Sequence, residues 1–190
     1  FRSKVWKAVN QALKDQRVQE LIALYNNGDI KECLLKAKKV AKIYPEEPFV
    51  FNLIGVVSAS IGSYDEAIES YKRALKINPN YFEVYNNLGI ICLELKQYSQ
   101  AEIYYNRALE IRPNYSSALT NLGWVEYLNN KVNIAIDHTV KAHKMNPEDP
   151  VSNYNLGLYY LKIKKVFTLR NFLNFLVNLK IKSSVKNGVN

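Results

Sequence analysis

Apolar side chains along residues 48–149 fall at helical rather than strand spacing. Tyr85, Leu88 and Cys92 stand at i, i+3 and i+7, and Ala67, Tyr71 and Ala74 at i, i+4 and i+7. Each set lines one face of a helix. The pattern also repeats. Pro45, Pro79, Pro113 and Pro147 recur every 34 residues, and with proline as position 32 the chain divides into units 14–47, 48–81, 82–115, 116–149 and 150–183.

The other positions follow the same register. Position 7 is Ile54, Leu88, Leu122 and Leu156; position 8 is Gly55, Gly89, Gly123 and Gly157. Position 20 is Ala67, Ala101 and Ala135, position 27 is Ala74, Ala108 and Ala142, and position 24 is aromatic in Tyr71 and Tyr105. A glycine inside a helix costs about 1 kcal/mol relative to alanine, so close helix packing must offset it. Small residues at 8 and 20 let two antiparallel helices approach, and proline at 32, lacking an amide hydrogen, ends the second helix. One hairpin cannot bury both its faces; stacked hairpins can, which predicts a curved solenoid with a concave inner surface.

This pattern of aromatic, Leu, Gly, Ala, aromatic, Ala and Pro resembles the tetratricopeptide (TPR) repeat, best over 48–149 and more weakly over 14–47 and the first half of 150–183. The resemblance implies an all-α, right-handed superhelical solenoid of about five helix-turn-helix repeats, the first and last atypical. Residues 1–13, with Val5, Trp6, Val9 and Leu13, are expected to cap the first repeat, and 184–190 to form a frayed tail. Repeat one keeps Gly28 and Pro45 but has Glu20 at position 7 and Cys33 at position 20. Its phrase "ELIALYNNGDIKECLLKAKKVAKIYPEEPFVFNLIG" resembles the opening of bacterial TPR arrays that precede glycosyltransferase or sulfotransferase domains. That likeness implies an alternative role as the substrate-recognition arm of a larger enzyme.

Repeat five keeps "YNLGLYYLKIKK" and then departs. Leu169, Leu173 and Leu176 occupy positions 20, 24 and 27, and Ile181 replaces the proline. Large residues there are expected to splay the hairpin, although Leu169, Phe172, Leu173, Leu176 and Val177 still hold helical spacing. A segment this apolar is expected to pack on something outside the chain, to self-associate, or to touch a membrane surface.

The net charge of +9 changes the picture only once it is located. Residues 1–44 carry 10 Lys/Arg against 4 Asp/Glu, residues 45–149 carry 9 against 13, and residues 150–190 carry 7 against none. Lys36, Lys38, Lys39 and Lys42 cluster on one helix, and Lys162, Lys164, Lys165 and Arg170 on another. Nucleic-acid or lipid binding through these ends is disfavoured, because a charge run is usually a solvated face. No run of about 18 apolar residues and no secretion signal is present; a cytosolic protein is the default. The chain opens on Phe1 and its one methionine is Met145, so a fragment is expected.

Catalytic chemistry has no constellation to rest on. His138 and His143 are five apart and do not share a helix face as metal ligands; they are expected to be solvated or at a groove edge. Cys33 and Cys92 lack metal or redox spacing and are expected to be buried, reduced thiols. Glu46 with Glu47 and Glu148 with Asp149 follow repeat-ending prolines, where helix-start acids belong. "NYS" at 114–116 has the form of a glycan acceptor but suits an inter-repeat turn. Neither catalysis, cofactor nor metal is expected.

The sharper feature is "NLG", at 87–89, 121–123 and 155–157. Position 6 lies about 100° round a helix from buried position 7, so Asn87, Asn121 and Asn155 are expected to face the inner surface. Positions 5 and 9 share that side, adding Asn86, Ile90, Thr120, Trp124, Tyr154 and Leu158. A row of amides can donate to and accept from the backbone of an extended peptide, with Trp124 the leading anchor. The row resembles the asparagine ladder in the TPR superhelix of O-linked N-acetylglucosamine transferase, which implies main-chain recognition. Amides bonding the neighbouring repeat are the alternative. A carboxylate clamp, as in chaperone-binding TPR domains, needs cations at positions 2, 5 and 6, and repeats two to five have none there. The expected partner is a protein or peptide.

Overall fold

The computed structural model describes the backbone of residues 2–186 and the side chains of residues 11, 13–168 and 170. Among the described residues there are nine helices and no strand: α1 (Arg2–Asn26), α2 (Ile30–Ile43), α3 (Pro48–Ser60), α4 (Tyr64–Ile77), α5 (Phe82–Glu94), α6 (Tyr98–Ile111), α7 (Ser116–Leu128), α8 (Val132–Met145) and α9 (Pro150–Lys186). The chain divides into two compact units, Phe1–Pro113 and Asn114–Asn190. In the first, α3 packs on α4 and α5 on α6; in the second, α7 packs on α8 and α8 on α9.

Each hairpin closes at position 15. Gly28 (φ 82°), Gly62 (φ 76°), Lys96 (φ 59°) and Asn130 (φ 62°) all sit in the left-handed region. The next amide donates back five residues in every case: Asp29 to the Leu24 carbonyl at 2.9 Å, Ser63 to Ser58 at 2.9 Å, Gln97 to Cys92 at 2.8 Å and Lys131 to Glu126 at 2.8 Å. This is the Schellman closure, which satisfies carbonyls the helix end would otherwise leave unpaired. Glycine takes that conformation freely and asparagine tolerates it, whereas Lys96 adopts it against its side chain.

The core is the predicted small-residue seam. Ala67, Ala74, Ala101, Ala108 and Ala135 are fully buried. A methyl group built on Gly55 would run into the Tyr71 ring, and one on Gly89 into the Tyr105 ring. One on Gly123 would meet the Thr139 hydroxyl and come within 3.0 Å of the Ala135 carbonyl oxygen. The glycines therefore let the second helix set a large side chain against the backbone of the first. Cys33 and Cys92 are free and buried, and burial pushes both thiols upward in pKa.

The two ends differ from the central repeats. Residues 2–13 are continuous with the first helix of repeat one in α1, which no glycine or proline interrupts. Leu13, expected to help cover repeat one, is 44% exposed; the side chains of Val5, Trp6 and Val9 lie outside the described residues. Repeat five is not a hairpin: α9 runs 37 residues without a turn. Lysine stands at position 15 both in Lys96, which turns, and in Lys164, which does not, so the turn residue does not decide. Past the turn at Lys96, Ala101, Tyr105 and Ala108 are wholly buried by the reversal, whereas α9 has leucine at all three of those positions. The tail beyond 186 lies outside the described residues. Among the described residues no helix is long and apolar enough to cross a membrane.

Candidate functional site

In the first unit, position 6 of one repeat meets position 5 of the repeat before it. Asn87 donates its Nδ2 to Asn52 Oδ1 at 3.1 Å, and Asn52 Nδ2 donates to the Tyr81 hydroxyl at 3.4 Å. Burial raises the Tyr81 phenol, with Asn52 opposing, so it stays a neutral hydroxyl. This amide is spent on the neighbouring repeat, the alternative role for the asparagines. Ile90 on the same helix is 39% exposed, whereas Asn86 is 4% exposed and unavailable to a ligand in this conformation.

In the second unit the sequence-predicted residues part company. Thr120 and Asn155, expected on the inner surface, are each only 5% exposed. Asn121, Trp124 and Leu158 are half-buried and Tyr154 is open. Trp124 has a rigid mount: its ring stacks on Tyr127 with centroids 5.4 Å apart, and Tyr127 stacks on Tyr159 at 4.7 Å. The Lys162 ammonium sits over the Tyr127 ring at 4.4 Å and donates to Asn130 Oδ1 at 2.8 Å. Tyr159 is fully buried, and burial drives its phenol well above the usual range. A stack of three rings capped by a cation presents one partly open indole at low entropic cost.

One pair escaped sequence reasoning. His138, expected to be solvated or at a groove edge, places Nδ1 2.8 Å from Glu126 Oε2, and Glu126 is 4% exposed. Glu126 occupies position 11, where the equivalent Ser58 and Cys92 are also buried. That register was the signal that an acid there needs a partner across the hairpin. The helix-start acids also have work: Asp149 Oδ2 accepts from the Ser152 amide at 2.9 Å and caps α9, and Glu47 pairs with Lys14 at 2.7 Å. The basic cluster on α2 is partly neutralised, since Lys36 pairs with Glu20 and Glu32 and Lys38 with Glu66. No group of three His, Cys, Asp or Glu among the described residues could hold a metal.

Comparison with known proteins agrees with this architecture. The TPR repeat model matches residues 55–96 and the tetratricopeptide repeat model residues 82–115. Residues 55–115 are TPR repeats, within an all-α helical-repeat solenoid. No curated protein matches its sequence significantly. Among solved structures, PilF of Pseudomonas aeruginosa is similar at TM-score 0.75 and 20% identity, covering 88% of this chain and 77% of that one. MamA from Desulfovibrio magneticus RS-1 is similar at TM-score 0.69 and 21% identity, covering 89% and 96%. The first TPR domain of Spaghetti (RPAP3), solved bound to an HSP90 peptide, is similar at TM-score 0.59 and 20% identity, covering 62% and 93%. At these identities the likeness is one of fold.

Proposed function

We propose that this chain is a non-enzymatic scaffold that binds an extended peptide or partner protein on the inner face of its repeats. The observation that carries the reading is Trp124, half-buried and fixed by the Tyr127–Tyr159 stack, with Asn121 beside it on α7 and Leu158 on the adjacent helix. A preorganised aromatic anchor beside an amide and an apolar side chain is the composition that carries interface energy. In the first unit Ile90 offers a lesser apolar contact. Asn87 enters the reading as an inter-repeat link and Asn86, Thr120 and Asn155 as buried supports. Tyr154 belongs to a different face, described below.

The test is selection of linear peptides from a random display library on the intact chain. Trp124→Ala should weaken the selected peptides at least about tenfold with helical circular dichroism retained. Unchanged affinity for all of them would overturn the reading.

A further inference from the structure

Three helices share a register whose buried face α9 leaves bare. At positions 8 and 11, α3 buries Gly55 and Ser58, α5 buries Gly89 and Cys92, and α7 buries Gly123 and Glu126; at position 5, Asn86 and Thr120 are buried as well. In α9 those positions are Tyr154, Gly157 and Tyr160, and all are exposed, Tyr154 at 67% and Tyr160 at 54%. Leu161 continues the face at 65% exposure. Among the described residues nothing comes within 4 Å of a methyl group built on Gly157. Lys164, Lys165 and Thr168 line a shallow depression with Leu161 at the C-terminal end of the same face. It is a helix seat with its small residue, its rings and its flanking cations, and among the described residues no helix lies on it.

We propose that this face of α9 docks an amphipathic helix from another protein whose first turn is acidic. Charge selects the occupant. Residues 150–190 carry seven Lys/Arg and no Asp or Glu. A second copy of this segment would set cations against cations, and 166–186 folded back would bring Arg170 towards Lys164 and Lys165. Folding back would also place Leu169 where the closed hairpins have Cys33, Ala67, Ala101 or Ala135, all 0% exposed. The closed hairpins show what fits. The second helix runs antiparallel, so its first turn lies beside the C-terminal end of the first; in α4 that turn carries Asp65 and Glu66, and Glu66 accepts from Ser58 at 3.2 Å. The partner helix should therefore set carboxylates by Lys164 and Lys165, with a small residue four before the large one that covers Gly157. This surface is independent of the Trp124 face.

A suitable probe is a labelled peptide of residues 63–78, stapled through positions 72 and 76, whose lysines are exposed in α4. It carries Asp65, Glu66, Ala67 and Tyr71 in the required order. Titrated with the intact chain, it should bind saturably and more weakly as salt rises. Gly157→Leu, whose Cβ has no described atom within 4 Å, should weaken it at least tenfold with circular dichroism and Tm retained. Lys164→Glu with Lys165→Glu should weaken it at least threefold, and Trp124→Ala should leave it unchanged. Absence of binding at millimolar concentration, or equal affinity for Gly157→Leu, overturns the proposal. So does a dimer that Gly157→Leu makes monomeric, or an intramolecular disulfide in the monomer between Gly157→Cys and Leu173→Cys; either assigns the face to this chain itself.

Discussion

Repeats two and three and the fifth unit begin alike and end differently. Each opens a first helix with glycine at position 8, yet Gly55 and Gly89 lie under Tyr71 and Tyr105 while Gly157 has no described atom near it. A small residue is thus a licence for close approach, not a cause of it. The cause is the second helix, whose small residues at 20 and 27 and ring at 24 gain burial only if the chain reverses. Where leucine replaces them, the chain extends into α9 instead.

The largest effect that could break this comparison is loss of the covering ring. Tyr105 is 0% exposed, so Tyr105→Ala should cost about 3–5 kcal/mol, the usual range for a buried aromatic. Tyr160→Ala, at 54% exposure on the bare face, should stay within about 0.5 kcal/mol. Urea midpoints of the two variants measure the contrast, and comparable losses would mean that α9 is covered in solution. The next effect is overpacking. Gly89→Ala forces a methyl group into the Tyr105 ring and should destabilise by about 1–3 kcal/mol, despite alanine's better helix propensity.

Gly157→Ala sharpens the comparison by reversing its sign. The site is helical and open, so only propensity operates, and the variant should gain up to about 1 kcal/mol. A rise in Tm for Gly157→Ala beside a fall for Gly89→Ala would show that one residue type at one register position serves opposite ends. A fall in both would place a covering helix on Gly157.

The repeat itself was legible because proline, glycine and alanine act through backbone geometry that recurs with the chain. The seam at 8, 20, 24 and 27 followed directly, whereas of the four turns only Gly28 was marked. What was not legible depended on neighbours. Positions 5 and 6 look polar and inward on an isolated helix, yet Asn86, Thr120 and Asn155 are buried, and Asn87 is held by Asn52 of the preceding repeat. The pattern inside one repeat cannot report what the next repeat covers. The failure of the fifth hairpin was half-legible: leucines at 20 and 27 forecast poor closure, but not a straight helix. Glu126 with His138 could have been found by noticing that position 11 is a buried register and that an acid there requires a partner.

The smallest effect concerns how a hairpin is latched. In repeat two, Ser58 at position 11 donates to Glu66 at position 19, and Lys38 pairs with the same carboxylate. The Lys38 ammonium, more than Ser58, holds the Glu66 carboxyl below its ordinary value of 4.5. The folded state therefore takes up this proton at lower pH than the unfolded state. Its contribution to stability is present above the ordinary carboxylate range and is lost as pH falls through the lowered folded value. Because both partners are well exposed, the effect should stay below about 1 kcal/mol and shrink with salt. Glu66→Gln should abolish that part of the acid-side slope, measured by urea midpoints across the carboxylate range at two ionic strengths. The fifth unit has Tyr160 and Thr168 at positions 11 and 19, so it has no carboxylate with which to latch a second helix, and any helix that settles on α9 must bring its own.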